Sequence, residues 1–388
     1  MNIMRNDVIL LSPLSDIRGK DRSNTMCKKI FIAATGQHCG KTTISVSLMH
    51  LALKRYGRVG FIKPIGPKCT EFHGITMDKD AVLMAKLFGL EEDARYMSPM
   101  TLPKGSTKRF LDGEISPDEP LRRIVSACRE LEAKNDFLII EGSGHGGVGS
   151  VIGMNNARVA KALGAPVILV SGGGIGNVID AVEMNLALYQ REQADVRLLM
   201  VNKLITEKRE SSLAYLRKAF AGSPIQVTGA FDYSPVLANP TLANIARLLK
   251  HPLHGHEDGR NRIVHHIQLG AASSQRVIDS LEESTLLLTT SSRDELIVTS
   301  SSLYHIPEYR EKIAGMVIPG HAPVSQISQK ILDDSGIPYI RIRETTADVF
   351  SRLKDHVSKI TAEDDEKLNL IKSQAESVID FDLIEAMM

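Results

Sequence analysis

No run of apolar residues in this chain approaches the roughly 20 that a helix needs to cross a bilayer, so no membrane-spanning helix is expected. An excess of one charge is also missing. The chain has 47 lysines and arginines against 46 aspartates and glutamates, a formal net charge of +1. Nothing in that balance draws it to nucleic acid or to an anionic membrane. Cysteine is scarce. Cys27, Cys39, Cys69 and Cys128 form no Cys-x-x-Cys pair, so neither a zinc site nor a disulfide framework is signalled, and a cytoplasmic setting is expected. What remains is an ordinary globular composition, 43% apolar and 24% charged over 388 residues, long enough for two domains.

The most informative stretch is residues 35–43: Thr35, Gly36, Gln37, His38, Cys39, Gly40, Lys41, Thr42 and Thr43. It follows an apolar run, Ile30–Ala34, and precedes a helical pattern from Ile44 to Leu53. A strand, a glycine-bearing turn and a helix opening with Gly-Lys-Thr are the parts of a phosphate-binding loop. Backbone N–H groups and the positive end of the helix dipole would surround a polyphosphate there. Lys41 would reach the terminal phosphates, and Thr42 would offer its hydroxyl to Mg²⁺. The first glycine is Gly36, one place later than the usual pattern has it, so the stretch reads either as a shortened variant of the loop or as a plain glycine turn between strand and helix. The cofactors this implies are ATP or GTP with Mg²⁺.

Strand-like and helix-like patterns alternate from residue 28 to about 250, which predicts a mainly parallel, doubly wound α/β sheet with helices on both faces. Ligands of such sheets lie beyond the carboxyl ends of the strands. Residues 251–262 are polar, glycine-bearing and aperiodic, and read as a linker. A second, smaller α/β block is expected over 263–357, and a charged helical tail over 358–388 that caps or trails it. Residues 1–25 do not resemble the rest. They read as a disordered extension, with translation beginning at Met26.

Further candidate residues fall just after strands. Glu141 ends the apolar run that starts at Asp136, where phosphate-loop proteins hold Mg²⁺ directly or through water. Lys63, before Pro64, ends another strand and would point into the same crevice as Lys41. Two converging lysines suit phosphoryl transfer, in which charge spreads over equatorial oxygens. Asp80 opens a helix and reads either as a cap or as a second Mg²⁺ ligand. Asn202, followed by Lys203, could read a purine edge; no Asp follows at the guanine-reading spacing, which favours ATP.

Together these residues resemble the dethiobiotin synthetase family and the cobyrinic acid a,c-diamide synthases. The matching order is the loop at 35–43, Lys63-Pro64, Asp80-Ala81, Glu141-Gly142 and Asn202, over residues 28 to about 248. The resemblance implies that Lys41 and Lys63 stabilise phosphoryl transfer. It also implies that Thr42, Asp80 and Glu141 hold Mg²⁺, that Asn202 binds adenine, and that the protein is a homodimer. The stretch that would bind the diamine, Ser98–Thr107, is changed and carries Lys104.

A closer likeness is to the amino-terminal region of long bacterial phosphate acetyltransferases, in which a domain with the same shortened loop precedes a DRTGG module. Here Ser292-Arg293-Asp294 stands in place of the naming motif. The transacetylase domain would lie further on, so that activity is not implied. Two functions follow. One is an ATP-dependent ligase that phosphorylates a carboxylate or carbamate for attack by an amine. The other is a nucleotide-dependent regulator whose second module senses a small-molecule effector. A scaffold with a dead loop fits less well, because Lys41 and Thr42 are intact.

Overall fold

The computed structural model describes residues 26–116, 118–355 and 358–388. The expected extension over 1–25 lies outside them. Among the described residues no helix is long and apolar enough to cross a membrane.

The larger sheet has six parallel strands: β1 (Lys28–Ala34), β2 (Val59–Ile62), β3 (Phe137–Glu141), β4 (Val167–Gly172), β5 (Val196–Asn202) and β6 (Gln226–Gly229). Their order is β6-β5-β4-β1-β3-β2. The chain runs from β1 to β2 and β3 on one side and then crosses to β4 on the other. The topological switch therefore falls at β1, and the 35–43 loop follows it. Alternation along β1 divides the core. Ile30, Ile32 and Ala34 face the cluster that holds helix α1 (Lys41–Leu53); Phe31 and Ala33 face the opposite cluster. Both faces are dry, which is why these strands read as unbroken apolar runs.

The second sheet has four parallel strands in sequential order: His266–Leu269, Thr285–Leu288, Ile313–Pro319 and Tyr339–Ile342. With right-handed crossovers, sequential order puts every connecting helix on one face. Val277, Leu296 and Leu332 of those helices share one core cluster. The other face must be covered from the two ends of the unit. Leu242, Ile245 and Leu249 of the helix Leu242–Leu249 do so together with Val349 and Leu353 of Thr346–Lys354. This helix lies within the stretch to about 250 expected to form the first block, yet it packs on the second sheet.

Two further expectations change. The 251–262 stretch is not a free linker: His254 and Tyr339 exchange backbone hydrogen bonds of 2.9 and 3.0 Å, and their rings stack. An open sheet edge needs such partners for its exposed N–H and C=O groups. The tail does not cap the second unit. Its helix α2 (Asp365–Val378) and the short helix after it return to the first, where Leu368, Ile371, Ala375 and Phe381 join the α1 core. Helix α1 is apolar nearly all round, with Ile44, Val46, Leu48, Met49 and Leu51 buried, so its outer face also needs a cover.

Candidate functional site

The loop after β1 is built to leave donors unspent. Thr35 closes the sheet end: its N–H donates to Val170 O at 3.0 Å, and its hydroxyl meets that of Ser171 at 2.8 Å. The next amide with a protein acceptor is Ile44, bonded to Gly40 O. Among the described residues, the N–H groups of residues 36–43 have none. Open N–H groups at a helix N-terminus are what an anion-binding turn offers, although Gln37 and His38 are exposed. Gly40 is essential to its shape. Its φ is +97°, and a Cβ there would lie 2.1 Å from Asn202 Nδ2.

Asn202 stands against the loop. Its Nδ2 donates to Cys39 O at 2.9 Å and its Oδ1 accepts from the Phe231 N–H at 3.2 Å. These two bonds tie the loop to the end of β5.

The charged groups of the site gather at the first turn of α1. Lys63 is buried, and its Nζ donates to Glu141 Oε1 at 2.6 Å, Asp80 Oδ2 at 2.9 Å and Gly142 O at 3.2 Å. Glu141 is also buried. Its Oε2 accepts from Ser45 Oγ at 2.6 Å, and Thr42 Oγ1 approaches Oε1 at 3.4 Å. Lys41 Nζ donates to Gly144 O at 2.7 Å, in the glycine-rich loop after β3. The helix over Lys79–Phe88 is capped by Asp78, which accepts the Asp80 N–H at 2.9 Å. Capping is therefore not the work of Asp80, whose carboxylate turns to Lys63 and, through Oδ1 at 2.8 Å, to Lys359. These groups share one cavity of about 550 Å³ with the loop residues Gln37, His38 and Gly40.

The electrostatics follow from burial and charge. Burial and the neighbouring Lys63 push the Lys41 ammonium down to about 8. Burial also works against the charge on Lys63, but Glu141 and Asp80 outweigh it and raise its pKa. Burial would raise Asp80, yet Lys63 and Lys359 hold it below the usual carboxylate range. Burial and then Lys68 and Lys203 push His38 down, a sign of positive potential in the cavity.

Among the described residues no group of three or more His, Cys, Asp or Glu forms a metal cage. Mg²⁺ does not require one, since one or two carboxylates plus substrate phosphates commonly suffice. Thr42 Oγ1 lies 3.4 Å from Glu141 Oε1 and Asp80 lines the same cavity, with Lys63 standing between the two carboxylates. Sequence reasoning did not single out Ser45, Asp78 or Lys359. Ser45 was findable, lying one helical turn from Thr42. Lys104 does not line the cavity.

Residues 28–241 match the profile of an AAA domain family and residues 244–356 that of the DRTGG domain. A phosphate acetyltransferase of Pseudomonas aeruginosa is 26% identical over 380 residues, covering 92% of this chain and 51% of that protein. One from Nitratidesulfovibrio vulgaris is 24% identical over 378 residues, with coverages of 92% and 51%. The chain spans about half the length of the curated relatives it matches. Among solved structures, McdA of Cyanothece aligns with a TM-score of 0.36 and 12% identity over 54% of this chain and 87% of that one. The likeness to phosphate acetyltransferases with a DRTGG module, read from the sequence, is borne out.

Proposed function

The chain belongs to the AAA domain family, and on that premise we propose that it binds Mg-ATP as the nucleotide-responsive half of a phosphate-acetyltransferase-like system. The observation that carries this reading is the row of unpartnered N–H groups at 36–43, set beside Lys41 at the N-terminus of α1. The amides would hold two phosphates, Lys41 would neutralise them, and Thr42 with Glu141 and Asp80 would take the Mg²⁺. Bound Mg²⁺ would supply charge neutralisation at the phosphate oxygens.

The ligase reading stands second. It is favoured by Lys41 and Lys63 lying on one cavity. It is weakened by Lys63 being held between Asp80 and Glu141 at 2.9 and 2.6 Å, which leaves it no free direction toward a substrate.

Calorimetric titration of the full chain with Mg-ATP tests the first reading. Wild type is expected to bind, and Lys41→Ala to lose binding while keeping its fold. At a hundredfold excess over Kd, ATP should add about 2.7 kcal/mol to stability. No binding by wild type would end the proposal. Phosphate release coupled to carboxylation of an added diamine with bicarbonate would establish the ligase reading instead.

A further inference from the structure

The cavity wall contains residues from beyond the second sheet: Ser358, Lys359 and Ile360. Their position is fixed from several sides. The buried Lys367 donates to Ser358 Oγ and to Asn239 O. Asp364 accepts the Thr361 N–H at 2.8 Å and is itself held by Asn244 Nδ2 at 3.3 Å. The helix that follows, Asp365–Val378, packs on α1, so the segment is referenced to the phosphate loop itself.

Lys359 reaches Asp80 Oδ1 at 2.8 Å, while Lys63 holds Oδ2 at 2.9 Å. The two lysines are not equivalent. The Lys63 side chain is 3% exposed and also bonded to Glu141; that of Lys359 is 40% exposed and, among the described residues, pairs with Asp80 alone. If a cation or a phosphate claims the Asp80 end of the cavity, Lys359 is the group free to turn. The contacts run in series from the loop: Thr42 to Glu141, Glu141 to Lys63, Lys63 to Asp80, Asp80 to Lys359. Lys359 stands at the end of that row and lines the same cavity as Lys41 and Thr42.

We propose that Lys359 is a specificity residue that recognises the terminal phosphate of a nucleoside triphosphate and separates triphosphate from diphosphate. This rests on the nucleotide reading above. The site is then composite: its loop comes from the first unit, and its triphosphate sensor from the segment after the second. A lysine suits the task as a compact point charge on a flexible stem.

The test is calorimetry on the full chain with the Mg²⁺ complexes of the β,γ-imido analogue of ATP and of ADP. Lys359→Ala should weaken the triphosphate about tenfold, as loss of one charge-assisted hydrogen bond does, and leave ADP unchanged. Lys359→Arg should keep the preference. Equal losses for both nucleotides, or no change in either, would overturn the proposal. So would tighter triphosphate binding, which would make Lys359 a plug on Asp80. In each of these cases wild type still binds and Lys41→Ala still fails to, so the nucleotide reading survives. If wild type binds neither nucleotide, that reading falls and the role of Lys359 falls with it.

Discussion

At the residue scale the charged part of the site turns on Lys63. It stands between two buried carboxylates, Asp80 and Glu141, and among the described residues no other lysine pairs with Glu141. Lys63→Met should therefore destabilise the protein by about 3–5 kcal/mol, the usual cost of stranding a buried charge, as read from urea unfolding. The pH signs follow from the shifts. The depressed Asp80 contributes stability that is full above its unfolded value, near pH 4, and is lost as pH falls through its lower folded value. The raised Lys63 contributes stability present below its unfolded value and lost only as pH rises through the higher folded one. Lys41 behaves oppositely. Its pKa is lowered to about 8, so its protonation costs stability fully below pH 8, and that cost fades toward its unfolded value of 10.5. Phosphates should raise it again. Nucleotide binding at pH 9 should then take up a proton, measurable by calorimetry in buffers of different ionisation enthalpy, and affinity should fall as pH rises past 8. Binding with no proton uptake would place Lys41 away from the phosphates. Lys41, Lys63, Asp80 and Glu141 were legible because each ends a strand or opens a helix of a periodic pattern. Lys359 was not: it lies 279 residues from Asp80, and only tertiary packing joins them.

At the element scale the loop and its helix act as one device. Gly40 holds a left-handed φ against Asn202, so Gly40→Ala should strain the turn and push the side chains apart. A loss of about 1–3 kcal/mol in thermal unfolding is expected, together with weakened nucleotide binding. Unchanged binding would mean that the turn is not the cradle. The strand–loop–helix order was readable from hydrophobic runs and glycine placement. The character of α1 was readable too but went unused, since an apolar helix with no polar face announces a second cover. The stretch after residue 250 misled because polarity alone does not distinguish a free linker from a strap whose backbone pairs with a sheet edge, as His254 does with Tyr339.

At the scale of the whole molecule, the two sheets share chain in both directions. The helix at 242–249 covers the second sheet, and the helix at 365–378 returns to cover α1. Such exchange is invisible to a reading that divides a chain into consecutive blocks, because which face lies open is set by crossover handedness. Ile371 is fully buried in the α1 cluster. Ile371→Ala should cost about 2–5 kcal/mol and speed amide exchange in α1, although it lies far along the chain from the loop. Normal protection in α1 would contradict the packing described. The central claim concerns the backbone of residues 36–43, and residue-resolved hydrogen exchange with and without Mg-ATP tests it most directly. Protection should appear at those amides, and be absent when Lys41→Ala is treated alike. Exchange at 36–43 that stays as fast with the nucleotide as without it would contradict the account.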